Sequence, residues 1–241
     1  LPLSGDFSTY GIMGCNGAVL AAKEINSQGG ILGRKVELII EDNQTDPNLS
    51  IQLARKLIQQ DNVIAILGPV SSTALYNLKK IAEEYQIPLF YGIDYEGGLF
   101  SRYLFCYSPV PDQMIKPLIP YLMEKGGNRF FIYGYDYVWP HKVSDVIEKE
   151  LLNLGGEIVG IEFSNFGKKD YSEVIERIFQ RKAETLILIN PGLDGIKFIE
   201  EIHNHPRRNE CKIVSIAADE TYLQMTQPDK LEGIITSSHF I

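Results

Sequence analysis

The sequence predicts an α/β protein of two lobes, each built on a parallel β-sheet, with a hinge between them. Short apolar runs alternate along the chain with amphipathic stretches of ten or more residues, a pattern typical of parallel sheets covered on both faces by helices. The composition changes at Tyr107-Ser108-Pro109-Val110-Pro111, with about four strand–helix units on either side. We therefore expect a first lobe over 1–107, a second lobe over 108–236 and, from 237–241, the start of a crossover back to the first lobe.

The first half of the chain predicts its elements in order. Residues 35–41 are apolar enough for a strand, and the Asp46-Pro47 pair that follows is a helix start, with Asp as the N-cap and Pro in the first turn. The fully apolar run 63–67 is typical of a central parallel strand. A helix over 71–85 has its apolar residues on one face, and a strand follows at 88–91.

The second half repeats the alternation. One of its helices ends at Gly155-Gly156, which suits a left-handed C-cap. We predict helices at 114–125, 142–154, 171–179 and 192–203, and strands at 129–133, 157–163, 185–189, 212–216 and 234–237.

Composition excludes several classes of function. The 241 residues include 23 basic and 31 acidic side chains, a net charge of −8, which argues against a nucleic-acid partner because such partners favour basic surfaces. The three cysteines, Cys15, Cys106 and Cys211, have no metal-ligand spacing. The sequence holds no glycine-rich phosphate loop and no nucleophile elbow. We predict a non-enzyme without metal or cofactor.

Ligands of parallel sheets bind at the carboxyl ends of the strands, so the residues after each strand are the candidate site. In the first half these include Ser71 and Ser72, which suit a carbonyl or carboxylate at a helix N-terminus. Plain helix capping is the alternative. Tyr91 and Tyr95 flank a glycine-containing turn and can stack and donate hydrogen bonds, although both could instead pack as core or rim.

The strand ends of the second half add aromatic and acidic candidates. The segment 135–139 holds three aromatic residues in five, including Tyr137 and Trp139, and such density is typical of a pocket wall. A hydrophobic cluster in the loop is the alternative. Asn190 follows the next strand, and Asp219 or Glu220, after the strand beyond it, could accept hydrogen bonds from a ligand nitrogen or cap a helix.

Several segments resemble the type I periplasmic solute-binding proteins. Leu1-Pro2-Leu3-Ser4-Gly5 is similar to their first-strand exit, and residues 18–33 are similar to their first helix and its turn. Within that superfamily the chain most resembles the urea and short-chain amide binders. Tyr95-Glu96-Gly97 matches a first-lobe loop of that branch, and residues 126–131 and 134–140 match its second-lobe entry.

The resemblance implies two Rossmann-like lobes that close on a small polar solute, here urea or a short-chain amide. It implies delivery to the membrane permease of an ABC transporter, or to a signalling partner, in the periplasm or outside the cell, with a lipid anchor as one option. The family is longer than this chain, so we expect the fold to be incomplete at both ends.

The resemblance also assigns residues. Ser71, Tyr91 and Ile93 correspond to ligand contacts of the first lobe, and Tyr137 to the aromatic that covers the ligand. Asp219 or Glu220 stands where amino-acid binders hold the ligand amine. Those binders tend to have Thr at the position of Ile93, which favours an uncharged ligand. Binding of a branched-chain or other amino acid, or a ligand-sensing role in a receptor or regulator, is the alternative.

Overall fold

A computed structural model describes residues 1–237, which form two compact units. The first unit comprises Leu1–Ile93 and Gly98–Ser108, and the second unit comprises Asp94–Gly97 and the described residues 109–237. Both units contain parallel sheets, as predicted. The lobe boundaries expected from the sequence stay a prediction, and residues 238–241 of the expected crossover lie outside the described residues.

The first unit has a three-stranded parallel sheet in the order β1-β2-β3. Its strands are β1 (Ile66–Leu67), β2 (Leu89–Tyr91) and β3 (Leu104–Cys106), and its helices are α1 (Ser8–Ser27), α2 (Pro47–Gln59) and α3 (Ser72–Tyr85). The predicted start of α2 is confirmed, because the Asp46 carboxylate accepts hydrogen bonds from the backbone N–H of Asn48 at 2.7 Å and of Leu49 at 3.3 Å.

The prediction of a strand at 35–41 is wrong. This segment has no assigned strand pairing among the described residues. Near its start the Val36 N–H donates to Oδ1 of Asn26 at 2.7 Å. At its carboxyl end the amino group of Leu1 donates to the Glu41 carbonyl at 3.2 Å, and just beyond it the N–H of Asn43 donates to the Leu1 carbonyl at 3.2 Å. A strand requires a ladder of such bonds along its length, and Ile40, 47% exposed, lacks the cover that its apolar character predicted.

The second unit has a five-stranded parallel sheet in the order β5-β4-β6-β7-β8. Its strands are β4 (Arg129–Tyr135), β5 (Glu157–Ser164), β6 (Thr185–Ile189), β7 (Lys212–Ser215) and β8 (Ile234–Thr236). Its helices are α4 (Pro111–Gly126), α5 (Val138–Leu154), α6 (Ser172–Gln180), α7 (Leu193–His203) and α8 (Tyr222–Met225), with short 3₁₀ helices at Arg208–Glu210 and Pro228–Leu231. Among the residues 1–237, no helix is long and apolar enough to cross a membrane.

Alternate residues of the central strands pack on opposite faces of this sheet. Leu186 and Leu188 of β6 belong to a core with α6 and α7, and Ile187 and Ile189 belong to a core with α4 and α5. All five residues of β6 are buried, which explains why its bounds were predicted without error: a strand covered on both faces is apolar throughout.

We expect Gly195→Ala to lower the free energy of unfolding by about 1–3 kcal/mol, because overpacking forces neighbouring groups apart. Gly195 is buried in the first turn of α7, and a Cβ built on it would lie 1.9 Å from the Asn190 carbonyl oxygen and 3.0 Å from the Tyr222 hydroxyl. The matched control is Gly17→Ala on α1, where a Cβ meets no atom within 4 Å. That change should stabilise the protein by up to about 1 kcal/mol. Urea denaturation measures both, and equal stabilities of the two variants would contradict the prediction.

Candidate functional site

The first-unit candidates lie after β1 and β2. The Ser71 hydroxyl oxygen caps α3 by accepting a hydrogen bond from the Ala74 N–H at 3.3 Å. A capping hydroxyl keeps its own proton as a donor, so capping by Ser71 is compatible with ligand contact. Ser72 begins α3 and is 2% exposed.

Tyr91 connects these two strand ends. Its side chain is fully buried, and its hydroxyl donates to the Val70 carbonyl at 2.6 Å. That bond fixes the turn that leads into Ser71 and α3, so Tyr91 supports the turn from within the core. Ile93 is half-buried and is the last residue of the segment Leu1–Ile93 of the first unit.

Residues Asp94–Gly97 group with the second unit and contain Glu96, a half-buried acid. Tyr95 is half-buried. Both carboxylate oxygens of Glu96 are buried and have no hydrogen-bond partner among the described residues. In the sequence, Glu96 stands out only as part of a motif that resembles the family. A buried carboxylate without a partner is unfavourable unless donors of a ligand or of water reach it, so Glu96 joins the candidate residues.

The aromatic candidates of the second unit follow β4. The structure extends β4 to Tyr135 and starts α5 at Val138, four residues before the predicted start. Tyr137 therefore stands at the N-cap of α5 and is half-buried. Trp139 lies in the first helical turn, is 7% exposed and packs in the core with α4 and α5. The alternative of a hydrophobic cluster describes Trp139 better than an open pocket wall.

The backbone around Tyr137 is held on both sides. The Asp136 N–H donates to the Ser164 carbonyl at 2.9 Å, and the Tyr137 N–H donates to the Tyr135 carbonyl at 3.1 Å. The His141 ring bonds the Asp136 carboxylate at 2.8 Å (Nε2 to Oδ1) and packs on Phe163, with ring centroids 3.9 Å apart. These contacts fix the peptide that presents Tyr137.

Polar groups at the ends of β6 and β7 are buried. Asn190 is 0% exposed, and neither its side-chain oxygen nor its nitrogen has a hydrogen-bond partner among the described residues. The Ser215 hydroxyl, which sequence analysis missed, is likewise buried without one. The backbone carbonyl of Asn190 accepts a hydrogen bond from the Tyr222 hydroxyl at 3.4 Å. Buried polar groups normally have partners, so these two side chains can serve a polar ligand atom or water.

Asp219 and Glu220 differ in environment. Asp219 is half-buried, and its Oδ1 accepts hydrogen bonds from the hydroxyl and, at 3.0 Å, from the N–H of Thr221. It caps the turn before α8 and not the helix itself, whose N-cap is Thr221 without a side-chain cap bond, so the structure does not show the helix-capping alternative for this acid. Glu220 is exposed. Asp219 is therefore better fixed for recognition of a cation, with Oδ2 as its second acceptor.

Burial also sets the protonation of the phenols near these strand ends. Desolvation raises the pKa of Tyr133, whose hydroxyl donates to the Ser164 hydroxyl oxygen at 2.7 Å, and raises the pKa of Tyr171 further. Both phenols therefore stay neutral to a higher pH than an exposed tyrosine, whose pKa is about 10. Across residues 1–237, no group of three or more His, Cys, Asp and Glu side chains is placed to hold a metal ion.

The family model and the curated relatives that match this chain are all described as binding proteins. The family model described as "Periplasmic binding protein" matches residues 1–241. The Leu/Ile/Val-binding protein BraC3 of Rhizobium johnstonii is 27% identical over 211 residues, which cover 84% of this chain and 56% of that protein. A leucine-, isoleucine-, valine-, threonine- and alanine-binding protein of Pseudomonas aeruginosa is 24% identical over 181 residues, 73% of this chain and 48% of that protein. The chain thus spans about half the length of these curated relatives.

Solved structures match the fold. The branched-chain amino acid transporter substrate-binding protein LivJ of Streptococcus pneumoniae, in complex with isoleucine, has a TM-score of 0.84 at 23% identity and covers 99% of this chain and 70% of its own. The leucine-binding protein LivK of Thermotoga maritima also has a TM-score of 0.84, at 19% identity, over 100% of this chain and 68% of its own. At these identities the likeness establishes the α/β architecture.

Proposed function

The chain belongs to the periplasmic binding protein family, and from this premise we propose that it is part of a non-enzymatic solute-binding protein that binds a small amino acid for an ABC transporter. The match to the family model over residues 1–241 is the observation that carries the proposal. The relatives named as Leu/Ile/Val-binding proteins support an amino-acid ligand over the urea or amide expected from the resemblance.

The chemistry of the candidate residues supports this ligand. A free amino acid carries a carboxylate and an ammonium group. The N-terminus of α3, with the Ser71 hydroxyl, favours the carboxylate, because helix N-termini offer unpaired N–H donors and a positive dipole end. Asp219 offers an acceptor for the ammonium group in a charge-assisted hydrogen bond. Closure of the two lobes on the ligand is part of this proposal.

Delivery to a membrane permease, outside the cytoplasm, is the role that we propose for the loaded protein. The relatives that support it include proteins titled as ABC transporter substrate-binding proteins. The resemblance to the family also implies a signalling partner and a lipid anchor as options, and we keep both as proposals.

A thermal-shift panel on the full-length protein tests the ligand class. The panel holds leucine, isoleucine, valine, glutamate, urea, acetamide and propionamide. We expect amino acids to raise the melting temperature, because a ligand at 100 times its dissociation constant stabilises the folded state by about 2.7 kcal/mol. The one tryptophan of the sequence, Trp139, provides a second reading through its fluorescence.

The panel also separates the alternatives. A shift with urea or amides alone would overturn the amino-acid proposal. It would support the uncharged ligand that Ile93 favours. Equal melting temperatures with every compound, together with unchanged Trp139 fluorescence, would refute both ligand classes.

A further inference from the structure

Phe166 lies two residues beyond β5, outside every candidate that the sequence identified. We infer that Phe166 is a specificity-determining residue whose ring contacts the apolar side chain of an amino-acid ligand and holds the Tyr137 ring beside it. This inference rests on the proposed function and names its ligand more narrowly, as an amino acid with an apolar rather than a charged side chain.

Three rings at the ends of β4 and β5 form one aromatic cluster, defined here as Tyr135, Tyr137 and Phe166. The Phe166 ring centroid lies 4.2 Å from that of Tyr135 and 5.3 Å from that of Tyr137. Tyr135 and Tyr137 are themselves 6.3 Å apart. Phe166 therefore contacts both tyrosines more closely than they contact each other, and it fixes the face that Tyr137 presents.

The backbone beside Phe166 is anchored by a buried charge. The N–H of Gly167 donates to Oδ2 of Asp194 at 2.6 Å, and the Asp194 carboxylate is 3% exposed. The N–H of Tyr171, four residues after Gly167, donates a hydrogen bond to the Glu201 carboxylate at 3.0 Å. Buried carboxylates such as that of Asp194 are rare unless well paired. Asp194 and the half-buried Glu201 together hold the segment that carries Phe166 onto α7. Phe166 is thus a fixed side chain on a fixed backbone.

The exposed part of Phe166 distinguishes a contact surface from simple core packing. Tyr135 is 1% exposed, whereas Phe166 keeps 37% of its surface accessible. This surface lies at the carboxyl end of a parallel sheet, where ligands of such sheets bind, and aromatic walls with few polar groups are typical of small-molecule pockets. A flat apolar ring favours contact with methyl and methylene groups, and it disfavours a charged side chain, which would lose hydration without a partner.

Ligand selectivity of Phe166→Leu tests the inference. We measure dissociation constants of the full-length protein for isoleucine, alanine and glutamate by calorimetric titration, with Trp139 fluorescence as a second readout. Loss of the aromatic face should weaken isoleucine binding about tenfold while alanine binding changes by no more than about twofold. Phe166→Tyr, which keeps the ring, should retain the wild-type preference.

The matched control is Phe100→Leu, since Phe100 is a phenylalanine of the first unit that is 87% exposed. It should leave all three dissociation constants unchanged. Phe166→Met, which keeps side-chain volume without a ring, replaces Phe166→Leu if the latter fails to fold. A wild-type protein that binds no amino acid refutes the proposed function. A wild-type protein that binds isoleucine, with an isoleucine-to-alanine ratio unaltered by loss of the ring, refutes the role of Phe166 alone.

Discussion

Phe198→Ala is expected to lower the free energy of unfolding by about 3–5 kcal/mol, since truncation of a buried phenylalanine loses its transfer free energy and leaves a cavity. Phe198 is fully buried on α7. Its ring stacks on Tyr133 with centroids 5.0 Å apart and meets the edge of Tyr171 at 5.2 Å. Both tyrosines lie among buried groups that are close-packed, so the site cannot collapse to fill the space.

Urea denaturation followed by Trp139 fluorescence measures this effect in the second unit, where Trp139 packs in the core. Phe100→Ala is the control of the same chemistry on an exposed position, and it should change stability by no more than about 0.5 kcal/mol. A loss below about 1 kcal/mol for Phe198→Ala would mean that the neighbouring rings relax into the cavity, contrary to the prediction.

The sequence predicted the second unit better than the first because the two sheets differ in how their strands are covered. β6 is buried on both faces, so its apolar run alone marked Thr185–Ile189. The β3 strand was missed although residues 103–107 form an apolar run, because a run this short does not by itself distinguish a strand from other packed chain. The segment 35–41 has a strand composition, yet strand formation depends on a neighbouring ladder that composition does not report.

The start of α5 shows a local limit of sequence reasoning. The helix predicted at 142–154 leaves Pro140 outside, but proline is tolerated in the first helical turn, where its missing N–H would have no intrahelical partner. The helix therefore begins at Val138. With this start, Trp139 lies in the core and Tyr137 lies at the N-cap. Two aromatic residues that are neighbours in sequence therefore differ in role: Trp139 packs in the core, and Tyr137 is a candidate ligand contact.

The candidate residues that directly follow strands could be named from the sequence. The residues that come together only across strands or through packing could not. The proximity of Phe166 to Tyr135 depends on the register in which Tyr135 pairs with Ser164. The buried state of Glu96 and Ser215 depends on packing around them. Neither property has a signal in residue type or spacing, because serines and glutamates are mostly exposed in proteins.

Asp219→Asn is expected to weaken amino-acid binding by at least about 30-fold, because removal of one charge from a close hydrogen-bonded pair costs about 2 kcal/mol or more. The substitution keeps a side-chain oxygen that can still accept from the hydroxyl and N–H of Thr221, so the turn before α8 should remain formed. The melting temperature without ligand should therefore stay close to that of the wild type. Calorimetric titration with isoleucine measures the loss.

Glu220→Gln is the matched control, since Glu220 is the adjacent acid and is exposed. Its dissociation constant should stay within about twofold of the wild type, because exposed charges interact weakly across water. The reverse order of effects would assign the ligand ammonium group to Glu220. Unchanged binding in both variants would remove this pair from recognition and make Glu96, whose buried carboxylate oxygens have no hydrogen-bond partner among the described residues, the acid to replace next.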